Sequence, residues 1–258
     1  MDNQDEQWLL KEKYNGEKSA AFFADCKQLA LGEPLGYLIG HIPFLGCTIH
    51  LDGRPLIPRP ETEFWVEQAI AAISEGSQLQ PGLDGSAAPA PHVLDLCAGS
   101  GCIGVAVAKQ VPQAHVDFAE IDAHLLPTIE KNLKENGIDS ERTTSYHSNL
   151  FQTTPTENAY DFILSNPPYI DSALHRVDEN VKEFEPHVAL FGGQGGVEVI
   201  EQLIAAAPAH LRPGGQLWIE HEPEQIGAIA DTARTHNFAV THHPDQYDVL
   251  RYSILVLQ

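Results

Sequence analysis

From residue 92 onward, short apolar runs alternate with longer stretches whose apolar residues recur at helical spacing. Strand-like runs fall at 92–96, 115–120, 143–147 and 160–164. Helical stretches fall at 102–110 and 125–136, the second ended by Gly137. A helix over 197–207 follows, and Pro213-Gly214-Gly215 turns into a strand at 216–220. A helix over 223–235 and two strands, 239–243 and 252–257, close the chain. Successive strand–helix–strand units join parallel strands and place helices on both faces of the sheet. The expected fold is therefore α/β, with a seven-stranded, mostly parallel sheet. Ligands in such sheets bind at the carboxyl ends of the strands, near the point where strand order reverses.

The first 91 residues read differently. Apolar residues at helical intervals (Trp8, Leu9; Phe22, Phe23, Cys26, Leu29, Ala30) predict one or two short helices before Gly32 and Pro34. Between Tyr37 and Ile57, glycines and prolines punctuate short β-like runs, which predicts a hairpin. Pro60 and the acids behind it suit a helix N-terminus. Residues 75–91, rich in Gly, Pro, Ser and Ala, read as a flexible linker. We expect short N-terminal helices and the hairpin over 1–60 as a substrate-docking region, a connecting helix and linker over 61–91, and a ligand-binding domain over 92–258.

Charge narrows the partners. With 15 Lys+Arg against 36 Asp+Glu, the formal net charge is −21. A protein that neutralises many phosphates, or that docks on an anionic membrane, is not built this way. The acidic start, Met1–Glu6, has no apolar stretch, and no run of about 18 apolar residues occurs. A cytoplasmic chain with no membrane partner and no direct nucleic-acid partner is the expectation. Cys26, Cys47, Cys97 and Cys102 form no C-x-x-C and no zinc spacing, so reduced thiols and no metal site are expected. Neither a G-x-S-x-G elbow nor a P-loop is present.

Two motifs carry chemistry. In the run from Val93 to Gly104, an apolar strand ends in Asp95, and a tight turn through Ala98, Gly99 and Gly101 opens a helix. Gly99, Gly101 and Gly104 spell G-x-G-x-x-G, so a dinucleotide is one reading. An acid four residues before Gly99 would repel a pyrophosphate. It suits the sulfonium and ammonium of S-adenosylmethionine (AdoMet) better. Glu120, at the end of the next strand, can accept from both ribose hydroxyls of either ligand. Asp122 competes for that role or caps the next helix.

The second motif, Ser165-Asn166-Pro167-Pro168-Tyr169, follows the apolar strand Phe162-Ile163-Leu164. Two prolines fix successive φ angles, so the carbonyls nearby are held rigidly. The Asn166 oxygen and the Pro167 carbonyl can each accept one hydrogen of a planar –NH₂ group, with Pro168 beside them. Tyr169 supplies a flat face, and its hydroxyl is given no role. Acceptors aimed at both hydrogens stabilise the positive charge that grows as such a nitrogen attacks a methyl.

These residues resemble class I AdoMet methyltransferases that act on planar nitrogens, and within them the HemK/PrmC family of release factor glutamine N5-methyltransferases. The resemblance rests on Ile57-Pro58-Arg59-Pro60-Glu61-Thr62-Glu63, on Glu185-Pro186-His187-Val188-Ala189-Leu190 through Gly192-Gly193 and Gly196, and on Gly36-Tyr37-Leu38-Ile39-Gly40 with Phe44. It implies a Rossmann-like class I methyltransferase domain preceded by a short helical region and a β-hairpin. It also implies AdoMet as cofactor, with a class-1 peptide chain release factor as the protein substrate. The methylated group is then the glutamine amide of its Gly-Gly-Gln loop. Arg59 and Glu63 are expected to meet that substrate. Asn149 stands where an Asp usually contacts the adenine amino group, and Cys97 stands where Gly is common.

The alternatives are a ribosomal-protein glutamine methyltransferase and an adenine-N6 nucleic-acid methyltransferase. From another class comes a non-catalytic AdoMet-binding interaction module. Gly192-Gly193-Gln194 reads as a coincidence within a glycine-rich loop. Asp171, Asp178, Glu179, Glu183 and Glu185 read as a solvated loop face.

Overall fold

The computed structural model describes residues 3–78, 89–156, 159–173 and 178–258. Helices α1 (Asn3–Glu12), α2 (Ala20–Ala30) and α3 (Leu35–Ile39) lead into a hairpin of β1 (His41–Phe44) and β2 (Cys47–His50). Helix α4 (Pro60–Gln78) follows. Then come β3 (His92–Leu96), α5 (Cys102–Gln110), β4 (His115–Glu120), α6 (Leu126–Glu135), β5 (Thr143–His147) and β6 (Tyr160–Ser165). The rest comprises α7 (Glu179–Phe184), α8 (His187–Leu190), α9 (Glu198–Ala206), β7 (Leu211–Glu220), α10 (Ile226–Thr235), β8 (Phe238–Pro244) and β9 (Leu250–Leu257).

The large sheet has the order β5-β4-β3-β6-β7-β9-β8. Strands β5, β4, β3, β6 and β7 pair in parallel, while β9 runs antiparallel to both β7 and β8. The order reverses between β3 and β6, so the ends of β3, β4 and β6 surround one crevice.

Two differences from the sequence reading concern boundaries. Pro213-Gly214-Gly215 lies inside β7, where a turn before the strand was expected. The register against β6 shifts between Tyr160 and Phe162, so the extra residues form an irregularity in the ladder. Helix α4 continues to Gln78, into the expected linker. Residues 79–88 of that linker lie outside the described residues.

Alternation along the strands makes two cores. Val93, Phe162 and Leu164 pack on one face with Trp65, Val105 and Ile129. Leu94, Leu96 and Ile163 pack on the other with Ile200, Leu203 and Ile229. The hairpin residues Phe44 and Ile49 belong to the first core, so β1, β2 and α4 are continuous with the sheet. Leu9, Phe22 and Leu38 form a separate small cluster among α1, α2 and α3. Among the described residues, no helix is long and apolar enough to cross a membrane.

Candidate active site

A cavity of about 260 Å³ opens at the reversal of strand order. Cys97 and Gly99 come to it from the turn after β3, Glu120 and Ile121 from the end of β4, Asn149 and Leu150 from the loop after β5, and Asn166 and Pro168 from the loop after β6. The 53–56 segment and the 186–191 stretch supply further wall.

Glu120 and Asp122 are the acids lining this cavity. Glu120 is buried, and it accepts from Gly99 N–H (2.7 Å) and Asp122 N–H (2.8 Å). Burial pushes its pKa up, while these backbone donors favour the ionised form. Asp122 has the other role anticipated for it: its side chain accepts from His124 N–H (2.9 Å) at the start of the following turn.

Asp95 sits elsewhere. It is fully buried, and its Oδ2 accepts from Gly104 N–H (2.8 Å) near the start of α5. It does not line the cavity, nor do Ala98 and Gly101. Gly104 has no room for a side chain, because a Cβ there would overlap the Phe118 ring and crowd Asp95. Cys97 adopts φ +62°, which accounts for glycine being common at this slot. Burial pushes the Cys97 thiol up to about 12, so it is a neutral wall group.

The Asn166–Tyr169 loop is held from below and behind. Asn166 Nδ2–H donates to Thr62 Oγ1 (3.1 Å). The Thr62 hydroxyl in turn donates to Glu220 Oε2 (2.7 Å), which also accepts from Trp65 Nε1–H (2.7 Å). The Tyr169 hydroxyl donates to Glu220 Oε1 (2.9 Å). Glu220 ends β7 and is 1% exposed. Gln225 Nε2–H donates to the carbonyls of Tyr169 (2.6 Å) and Gly196 (3.1 Å). Gly196, at φ +68°, lies so close that a Cβ would overlap the Tyr169 carbonyl. The glycine-rich loop thus supports the acceptor loop by backbone contact.

Arg59 and Glu63 have partners within the chain. Arg59 Nη2–H donates to Glu185 Oε1, and Glu185 Oε2 accepts from Ile57 N–H (3.1 Å). Glu63 Oε1 accepts from Leu45 N–H (2.6 Å) in the hairpin turn. Glu185 is 4% exposed, which corrects its reading as part of a solvated loop face. Tyr169 also needs correction, since its hydroxyl has a buried carboxylate partner.

Of the residues singled out in the sequence, Cys97, Gly99, Glu120, Asp122, Asn149, Asn166 and Pro168 line the cavity, whereas Pro167 and Tyr169 do not. Thr62, Trp65, Glu220 and Gln225 were missed. One signal pointed to Glu220: an acid ending an apolar strand, as Glu120 does.

Residues 76–184 match the family described as the methyltransferase small domain. A release factor glutamine methyltransferase of Rhodopirellula baltica is 36% identical over 222 residues, covering 86% of this chain and 72% of its own. One of Bordetella pertussis is 35% identical over 239 residues, covering 91% and 83%. The chain belongs to the release factor glutamine methyltransferase family. The T. thermophilus 16S rRNA N2 G1207 methyltransferase, solved with AdoMet and guanosine, matches with a TM-score of 0.56 at 20% identity. That match covers 84% of this chain and 49% of that one, and at such identity it speaks for the fold. In this member of the family, the Arg59–Glu185 pair joins two of the motif segments that carry the resemblance, 57–63 and 185–190.

Proposed function

We propose that this chain transfers a methyl group from AdoMet to the glutamine side-chain amide in the Gly-Gly-Gln loop of a class-1 peptide chain release factor. The observation that carries this reading is that Asn166 and Pro168 line the same cavity as Gly99 and Glu120. Asn166 and Pro168 so placed support an amide grip beside a nucleoside pocket, with Pro167 and Tyr169 on the same loop. The reading includes action in the cytoplasm, in the service of translation termination.

The donor set fits AdoMet. A carboxylate offers about four lone-pair sites, and backbone N–H groups occupy two on Glu120. The remainder can accept from two ribose hydroxyls. A Cβ at Gly99 would meet nothing within 4 Å, so the turn leaves open space beside the carboxylate. Asn149 can accept from an adenine amino group through its oxygen. When bound, AdoMet supplies an electrophilic methyl group.

The chain's own residues then act on the acceptor. The Asn166 oxygen and the Pro167 carbonyl each accept one amide hydrogen. The Tyr169 ring, tied through its hydroxyl to Glu220, holds the amide plane. An amide nitrogen is a poor nucleophile because its lone pair is delocalised. Acceptors placed beforehand on both hydrogens stabilise the charge that develops on nitrogen. Arg59 and Glu63, fixed within the chain, serve the substrate by holding the 185–190 segment and the hairpin turn in place. Asp95 serves the cofactor by holding the glycine turn.

The test is labelled AdoMet with a release factor, its Gln→Ala variant, a ribosomal protein and an oligonucleotide as acceptors. Label on the release factor that is lost in its Gln→Ala variant is expected. Label on the oligonucleotide alone would overturn the reading. Asn166→Ala should lower single-turnover kcat by about 10²–10³-fold with AdoMet affinity nearly unchanged, the range for removing one preorganised charge-stabilising group.

A further inference from the structure

A hydroxyl carries one hydrogen, and this fixes the direction of a hydrogen-bond chain beside the acceptor loop. Burial pushes the Glu220 pKa up, while the Trp65, Thr62 and Tyr169 donors favour its ionised form, and an ionised carboxylate only accepts. Three donors converge on it: the Trp65 indole, the Tyr169 hydroxyl and the Thr62 hydroxyl. The Thr62 hydrogen is thereby committed to Glu220, and only lone pairs remain on the Thr62 oxygen toward Asn166. Asn166 must meet them with Nδ2–H, as it does at 3.1 Å. The Asn166 oxygen is then the end of the carboxamide left for the acceptor. A flipped carboxamide would set oxygen against oxygen at Thr62.

From this we infer that Thr62, anchored by Glu220, is the positioning residue that sets acceptor specificity: it holds the Asn166 oxygen toward the bound group, so the site takes N–H donors and refuses a carboxylate. The inference rests on the acceptor reading above and adds to it the residues that decide the orientation. Thr62 and Glu220 lie 158 positions apart, on the first turn of α4 and at the end of β7. The contact also explains why a Thr stands between Glu61 and Glu63 on a helix whose neighbouring side chains serve packing and the hairpin. Thr62 is 1% exposed and makes no contribution to the surface.

A double-mutant cycle tests the assignment, with single-turnover methylation of a release factor as the readout. Thr62→Val keeps the side-chain shape and removes the hydroxyl. It should lower kcat by about 10-fold or more, as misplacement of a positioning group does, with AdoMet affinity unchanged. On the Asn166→Ala background, Thr62→Val should cause no further loss, because the group it orients is gone. Thr62→Ser should restore most of the rate. Thr62→Ala, which adds no methyl against the carboxylate, is read the same way should the valine fail to fold. Full kcat in the folded Thr62→Val and Thr62→Ala variants, or an equal further loss on the Asn166→Ala background, would overturn the inference. An inactive wild type with every acceptor would instead overturn the acceptor reading, and this inference with it.

Discussion

Burial strips water from the Asp95 carboxyl and pushes its pKa up to about 8, while among the described residues Gly104 N–H is its one hydrogen-bond donor and Oδ1 has no partner. In the unfolded chain an Asp loses its proton near pH 4. Between those values the native state holds a proton that the unfolded state has shed. Stability from this group is therefore full below about pH 4 and declines as pH rises toward 8. Asp95→Asn removes that titration and can still accept from Gly104. Its urea midpoint should fall less between pH 5 and 8 than that of the wild type; parallel curves would count against the buried, protonated carboxyl. Tyr169 makes the second case at this scale. Removing its hydroxyl leaves Glu220 Oε1 buried without its donor. Tyr169→Phe should cost about 1–3 kcal/mol of stability in urea unfolding at pH 7, where a reading from the ring face alone expects almost none.

Among the elements, the hairpin is held to α6 in an unusual way. Strand β2 presents the N–H and C=O of Thr48 and His50 toward the helix. The Asn136 carboxamide bonds both groups of Thr48 (3.0 and 2.8 Å), and that of Asn132 bonds both groups of His50 (2.7 and 3.1 Å). Residues four apart on a helix rise about 6 Å, and residues two apart on a strand about 6.6 Å. Two side-chain amides on one helix face can therefore stand in for a neighbouring strand. Asn132 Nδ2–H also donates to the Ser100 carbonyl (2.8 Å), so the same side chain ties the glycine turn to the hairpin. Asn132→Ala should lower unfolding free energy by about 1–3 kcal/mol, given several buried backbone groups left without partners. A midpoint unchanged from wild type would show that water replaces these bonds at no cost.

At the scale of the whole molecule, ligand binding and folding are linked. Glu120, the Gly99 turn and the loop after β6 come from separate strands, so the pocket exists only in the native state. AdoMet at about 100 times its Kd should raise unfolding free energy by about 2.7 kcal/mol. Glu120→Ala should weaken AdoMet by about 1.5–3 kcal/mol, the worth of hydrogen bonds to a charged group. At the same AdoMet concentration, the thermal shift of that variant should then be much smaller. An equal shift in both proteins would put the nucleoside elsewhere.

What could be read in the sequence was local in the chain. The Gly99–Gly104 turn and the Asn166–Tyr169 run each hold their chemistry in a few consecutive residues, and alternation of strand and helix is enough to predict a mostly parallel sheet. Strand ends pointed to two acids: Glu120 lines the crevice, and Asp95 does not. The tertiary structure decided the rest. It placed Asp95 beneath the turn, because the Val93–Asp95 face of β3 is covered by α5. It joined Arg59 to Glu185 and Thr62 to Glu220 across 126 and 158 residues. It also gave the Tyr169 hydroxyl a partner from β7. No periodicity in a chain encodes which buried carboxylate a distant hydroxyl will meet. That depends on how β6 and β7 lie side by side and on where α4 crosses their ends.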